Sequence, residues 1–214
     1  MNAMLEHAPR ETALEAGGYA KGVAVALVTQ NSDPEGLGRV KVRFPWHTRP
    51  SESHWARIAV PMAGKERGTF FLPEPGDEVL VAFEREDIRF PYVVGALWNG
   101  KDKPPATNAD GRNDLRFVRS RKGHELTFDD GARGRVELKL NDGKRRLSIE
   151  DDTVRLEDGQ GNSLEFSSTG GSVTLRASRK LALSAPAISI EASGTLELKA
   201  GPTLTIKGGL VQIN

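Results

Sequence analysis

The chain contains no cysteine. Disulfides, thiol nucleophiles and thiolate metal sites are therefore excluded, and the absence suits a protein that passes between reducing and oxidising surroundings. No apolar run approaches the roughly eighteen residues of a membrane-spanning helix. Net charge is +1, from 30 basic and 29 acidic residues, so bulk electrostatics gives no pull toward a polyanion. The first residues, MNAMLEHAPRETALEAGG, lack the basic start and apolar middle of a secretion signal. The chain is expected to be made in the cytoplasm and to leave it, if at all, by another route.

Catalytic patterns are missing too. There is no G-x-S-x-G, H-E-x-x-H or phosphate loop. The four histidines are His7, His47, His54 and His124, none in the last ninety residues. His47 and His54 flank Pro50 and read as loop or barrel histidines, not a metal pair. Asp129-Asp130, Asp151-Asp152 and Glu157-Asp158 are adjacent acids. Neighbours on a strand point to opposite faces, so these suit solvated turns better than acid/base chemistry. Gly36-Leu-Gly38 has no following helix and is a loop turn. The basic cluster Arg116, Arg119, Arg121, Lys122 has only Phe117 among it, and acids follow closely; it reads as a solvated collar before a nucleic-acid contact. No catalytic, cofactor-binding or metal residue is assigned, no cofactor is expected, and the chain reads as a non-enzyme.

What the chain does have is a repeat. From Leu147 onward, apolar residues come in pairs two positions apart: Leu147/Ile149, Val154/Leu156, Leu164/Phe166, Val173/Leu175, Leu181/Leu183, Ile188/Ile190, Leu196/Leu198, Leu204/Ile206 and Val211/Ile213. The last five pairs begin every seven or eight residues. Alternation of this kind marks half-buried strands, and Gly, Ser, Asp, Asn or Pro between pairs supplies the corners. A seven- or eight-residue period is too short for solenoids that build their own core. A lone ribbon of such strands would not be stable. Three copies wound about one axis could point the pairs inward, each aliphatic gaining roughly 1.5–3 kcal/mol on full burial. The trimer core is then Leu181, Leu183, Ile188, Ile190, Leu196, Leu198, Leu204, Ile206, Val211 and Ile213. The alternative is an ordinary antiparallel meander or half of a β-sandwich, although a sandwich should show longer strands and more aromatic core.

Residues 22–100 read as five strands without a helix: Gly22–Thr29, Leu37–Phe44, Trp55–Val60, Glu78–Phe83 and Phe90–Leu97. Pro45, Pro61 and the rigid Pro73-Glu-Pro-Gly-Asp77 turn punctuate them. Met62 to Gly68 reads as a loop. Five strands in about eighty residues suggest a small closed barrel of the oligonucleotide/oligosaccharide-binding (OB) type.

Four segments carry a family resemblance: LGRVKVRFPW (37–46), WARIAVPM (55–62), PEPGDEVLVAF (73–83) and YVVGALW (92–98). In this order they resemble the barrel of the phage baseplate assembly protein V family and the VgrG-like central spikes of type VI secretion and extracellular contractile injection systems. The resemblance implies an all-β homotrimer: an N-terminal OB-fold barrel followed by an intertwined triple-stranded β-helical needle. The implied organisation is an arm at 1–20 contacting a hub, a barrel at 21–104, a linker or neck at 105–114 and a needle at 115–214. About twenty residues before the barrel leave a hub to a separate baseplate protein. The short linker has no room for a muramidase, and a His-x-His metal tip is absent. A blunt end at Leu210, Val211, Gln212, Ile213 and Asn214 would expose open β edges, and the resemblance suggests a separate cap protein of the proline-alanine-alanine-arginine (PAAR) repeat type there.

The function so implied is structural: a central spike that docks on a baseplate hub, pierces a target envelope with transient membrane contact, and belongs to a phage tail or phage-like extracellular particle. No nucleic acid is expected. A second reading, from a different class, is an OB-fold binding module for single-stranded nucleic acid or glycan, using Trp46 and Trp55. A cell-wall hydrolase lacks both a domain and a catalytic pair.

Overall fold

The computed structural model describes residues 20–46 and 52–213, and the chain is all-β. It divides into two units, residues 1–107 and 108–214. The expected arm at 1–20 lies outside the described residues except for Ala20, which is buried and donates its N–H to the Glu86 carbonyl at 2.7 Å.

The first unit contains β1 (Val23–Gln30), β2 (Lys41–Arg43), β3 (Arg57–Ile58), β4 (Ala63–Gly64), β5 (Arg67–Gly68), β6 (Glu78–Phe83) and β7 (Pro91–Leu97). A single 3-10 turn, Glu84–Glu86, links the last two. The sheet order is β2-β1-β6-β7-β3. An antiparallel bridge between Val40 and Ala56 joins the two ends, so the sheet curls into a barrel consistent with the OB fold. Small and β-branched residues fill it, because a narrow barrel has room for little else. Ala26, Val28, Val40, Val42, Ala56, Val79, Val81 and Val93 are buried, with Phe44 closing one end. The β1–β2 loop is pinned by Asp33, which accepts hydrogen bonds from the Glu35 and Leu37 amides and a forked pair from the Arg39 guanidinium at 2.8 Å each. That guanidinium holds the Asp33 carboxyl well below the usual carboxylate range. The expected second and third strands are shorter than their alternation suggested, and Met62–Gly68 is not a plain loop. It is the β4–β5 hairpin, turned by Glu66 at a φ of 55°.

The second unit is a seven-stranded antiparallel meander: β8 (Leu115–Arg119), β9 (Glu125–Asp129), β10 (Arg135–Lys139), β11 (Arg146–Glu150), β12 (Thr153–Glu157), β13 (Ser163–Ser167) and β14 (Ser172–Arg176). Every strand has five residues. From 177 to 213 none of the described residues lies in a strand. Within a single chain, then, residues 115–176 form the meander that the repeat left open as an alternative.

One face of this sheet is ionic. Its charges alternate across the strands. Glu125 is bonded by Arg119 at 2.5 Å and by Lys139 at 2.9 Å. Lys139 also reaches Glu137 at 3.5 Å, and Arg146 meets both Glu137 and Glu157. Arg155 continues the chain to Glu157 at 3.0 Å and Glu165 at 3.6 Å. Glu125 and Glu137 are buried beneath the arginine and lysine stems. Removing one member of such a network strands its partner's charge. Burial alone would push the Glu125 carboxyl up; hydrogen bonds from Lys139, Arg119 and Thr127 outweigh it and hold the pKa down at about 2.

A carboxylate with a lowered folded-state pKa stabilises the fold fully above its unfolded value, about 4.3, and loses that contribution as pH falls toward the folded value. The stability gap between the wild type and Glu125→Gln is therefore expected to be full above about pH 5 and to close between about pH 4 and pH 2. Chemical denaturation across that pH range measures it; a gap independent of pH would contradict the ladder.

Candidate assembly surface

The opposite face of the seven-stranded sheet is apolar, and its order follows from the strand register. Leu126, Leu138, Leu147, Leu156, Leu164 and Leu175 stand directly opposite one another from strand to strand, with Val118 extending the row. Beside it runs a second row: Phe128, Val136, Ile149, Val154, Phe166 and Val173. Cross-strand neighbours of this kind are the unit of sheet stabilisation. Here they also form one continuous apolar strip. Most of these side chains are exposed; Leu138 is 52% and Leu175 53% accessible. The sheet has inverted the usual economy, with charges sheltered on one face and aliphatics open on the other.

The five later pairs prolong the pattern. Leu181, Ile188, Leu196 and Leu204 are 54–56% accessible, and their partners Leu183, Ile190, Leu198 and Ile206 are 59–64%. Val211 and Ile213 are exposed as well. The spacing changes where the structure changes. In the meander the pairs start seven to eleven residues apart, the shortest step being the tight β11–β12 hairpin. After residue 176 the spacing settles at seven or eight. Among the described residues, no backbone hydrogen bond is recorded within 177–213. Ser178 alone ties the start of this segment back, donating its N–H to the Asn162 side chain at 2.8 Å. Of the expected tip residues, Leu210, Val211, Gln212 and Ile213 are exposed and Asn214 lies outside the described residues.

The remaining residues singled out from the sequence are engaged in structure. Trp46 packs on Phe44 with ring centroids 5.2 Å apart. Trp55 is flanked by Arg39 and Lys41, whose cationic groups lie 5.8 and 5.3 Å from its ring, so it is not a bare stacking platform for a base. Arg116 pairs with Asp130, and Arg119 with Glu125 while lying over Phe117. Asp158 accepts the Gln160 and Asn162 amides, whereas its neighbour Glu157 belongs to the ionic face. His54 is exposed and His47 lies outside the described residues. Among the described residues no group of three or more His, Asp or Glu could hold a metal, and no helix is long and apolar enough to cross a membrane. Sequence reasoning missed Phe70 and Phe71, both well exposed beside the β4–β5 hairpin. It also missed the apolar groove behind them, about 290 Å³, lined by Ile58, Val60, Pro61, Phe71, Leu72 and Val93. The Phe-Phe pair before Pro73 was the available signal.

Glycine has one demanding position on this surface. Gly159 sits at a φ of +68°, and a Cβ there would come within 2.3 Å of the Lys144 side chain. Gly194 has open space around it in the single chain. Gly159→Ala is expected to destabilise the sheet by about 1–3 kcal/mol, read as faster amide exchange in β11–β13. Gly194→Ala should leave those amides unchanged.

Residues 24–98 match the family described as the type VI secretion system/phage-baseplate injector OB domain. The chain is 30% identical over 106 residues to the type VI secretion system spike protein VgrG3 of Vibrio cholerae, a match covering 46% of this chain and 10% of that protein. It is 38% identical over 72 residues to the spike protein VgrG1a of Pseudomonas aeruginosa, covering 32% of this chain and 11% of that one. A third relative, the actin cross-linking toxin VgrG1 of Vibrio cholerae, is 30% identical over 112 residues, 49% of this chain and 10% of the relative. The matched stretch thus spans about a tenth of these relatives. Over the barrel, the chain is similar to VgrG proteins of the baseplate and spike type.

Proposed function

We propose that the protein is a homotrimeric central spike of a contractile injection system, with the barrel seated on a separate baseplate hub and residues 115–213 forming a trimeric needle. The observation that carries this reading is the open apolar strip of the seven-stranded sheet, prolonged by five further aliphatic pairs. Exposed strips of this extent on a soluble surface mark association sites. The match of the barrel to injector OB domains supplies the biological setting.

The width of the sheet favours three copies. Five residues at about 3.4 Å make each strand about 17 Å long. Three such sheets closed into a triangular prism would place each wall about 5 Å from the axis, half of the roughly 10 Å at which two sheets pack face to face. The aliphatic rows would then meet at the centre. Four copies would leave the walls about 8 Å from the axis and a hollow core; two would leave the margins of the sheets apart. Beyond residue 176, where the chain supplies itself no strand partner, neighbouring copies would provide it, giving an intertwined β-helix. The mechanical role follows: a stiff ladder with a dry aliphatic axis transmits axial force through a target envelope, with only transient membrane contact. A PAAR-type cap over Leu210–Ile213 and assembly into a phage tail or phage-like particle complete the reading. The OB-fold binding module is the weaker alternative, because Trp55 is already covered by cations.

Native mass spectrometry is expected to give a trimer of about 70 kDa from the 23.2 kDa chain. Leu198→Asp, which would bring three carboxylates to the axis, should reduce the trimer fraction by tenfold or more at equal concentration. A monomeric wild-type protein would overturn the reading, and normal assembly of Leu198→Asp would show that its side chain does not face the axis.

A further inference from the structure

The strands of the seven-stranded sheet run between two rows of turns, and the rows carry opposite charge. One row comprises residues 120–124, 140–145, 158–162 and the start of the tail at 177–180. It contains Arg121, Lys122, Lys144, Arg145, Arg179 and Lys180 against Asp142 and Asp158. The other row comprises residues 112–114, 130–134, 151–152 and 168–171. It contains Asp114, Asp130, Asp151 and Asp152 against Arg112 and Arg133, and Asp129 and Glu150 end their strands on the same side, with Arg135 beside them.

Most of the minority charges in each row are engaged locally; Arg133 forms no ion pair among the described residues. Asp142 accepts the Lys144 amide at 2.9 Å and pairs with Arg145 at 2.5 Å; the amides of Lys144 and Arg145 hold its carboxyl below the usual range. Asp158 is held below its usual range by the Gln160 amide and the Asn162 side chain. On the other side Arg112 is held by Asp110 at 2.8 Å and Asp114 at 3.4 Å. Lys122, Lys144, Lys180, Asp151 and Asp152 are exposed, and no ion pair among the described residues involves them. What each row offers to a neighbour is therefore a net excess of one sign, basic in the first row and acidic in the second.

We propose that the two turn rows are mating surfaces between copies of this chain, the basic row of one copy lying along the acidic row of the next. The inference rests on the trimer reading and specifies its joint. In a closed ring every subunit meets its neighbours through two different patches, so one basic and one acidic margin satisfy every joint with the same pair of surfaces. Cyclic order about the ladder direction is selected, and a face-to-face pair of copies related by a two-fold axis along the strands, which would lay like rows together, is disfavoured; the width of the sheet, not the charge, sets the number of copies. The rows also guide encounter: complementary charged surfaces raise association rates by about 10- to 1,000-fold at low salt, and the gain fades when screening is strong.

Three full-length variants test the joint: Lys122→Glu/Lys144→Glu/Lys180→Glu, which makes both rows acidic; Asp151→Lys/Asp152→Lys, which makes both basic; and the combination of all five, which exchanges the signs. Reassembly of trimer after dilution from denaturant is followed by native mass at about 20 mM and 500 mM salt. Each single-row variant is expected to reassemble at least about tenfold more slowly than the wild type at low salt, the combined variant within about twofold of it, and high salt to compress the differences. Single-row variants as fast as the wild type, or a combined variant as slow as they are, would overturn the charged joint while leaving a trimeric wild type and its spike reading intact. A wild-type chain that never forms a trimer would remove the spike reading itself, and the joint with it.

Discussion

Strand register is the constraint on which the C-terminal half depends. Because side chains alternate with a period of two, one register places Leu126, Leu138, Leu147, Leu156, Leu164 and Leu175 in a single row and Thr127, Glu137, Ser148, Arg155 and Glu165 on the reverse. A slip of one residue would exchange the faces. A slip of two would keep the faces and cost little in apolar contact, since the rows are so alike. The ionic face resists it: the cross-strand pairs of Glu125 with Arg119 and Lys139, Arg146 with Glu157, and Arg155 with Glu165 hold neighbouring strands where they sit. The buried charges thus specify alignment, a role for which polar groups in apolar surroundings are well suited.

The same alignment makes the apolar strip continuous from strand to strand, as the proposed assembly between copies requires. A sheet that hides charge and displays leucine is poorly solvated alone and well suited to assembly. The barrel has the opposite character. Its valine-rich interior closes on itself, and it needs no partner to complete a core. The two units therefore represent two solutions to burial: one within a chain, the other shared between copies in the proposed assembly.

Much of this was legible in the sequence. Strand β6 was readable residue for residue, because Pro73-Glu-Pro-Gly-Asp77 fixes its start and Glu78-Val-Leu-Val-Ala-Phe83 alternates cleanly. The aliphatic pairs from Leu147 to Leu175 do share a face. The meander was not legible as such, because Leu126/Phe128 and Val136/Leu138 precede the regular repeat and stand among charged turns. Leu115 and Phe117 added to this, falling on the ionic side of their strand and breaking the pattern. The β4–β5 hairpin was hidden by its own residues: Ala63-Gly64 and Arg67-Gly68 carry no alternation. The ionic ladder and the charged turn rows were invisible for a different reason. Pairing between residues on neighbouring strands, six to fourteen positions apart, becomes apparent only once the hairpins set the register.

In the proposed assembly the aliphatic pairs of 181–213 are covered by other copies of the chain. Within one chain the backbone there has no recorded hydrogen-bond partner among the described residues, so its amides should exchange with solvent within seconds unless neighbouring copies ladder with them. Hydrogen–deuterium exchange on the native full-length protein measures this directly. Protection across 181–213 is expected to be at least as strong as in β9–β13 and to be lost in parallel with the trimer on dilution into denaturant. Exchange at the rate of an unprotected chain, in a protein whose β9–β13 amides stay protected, would contradict it.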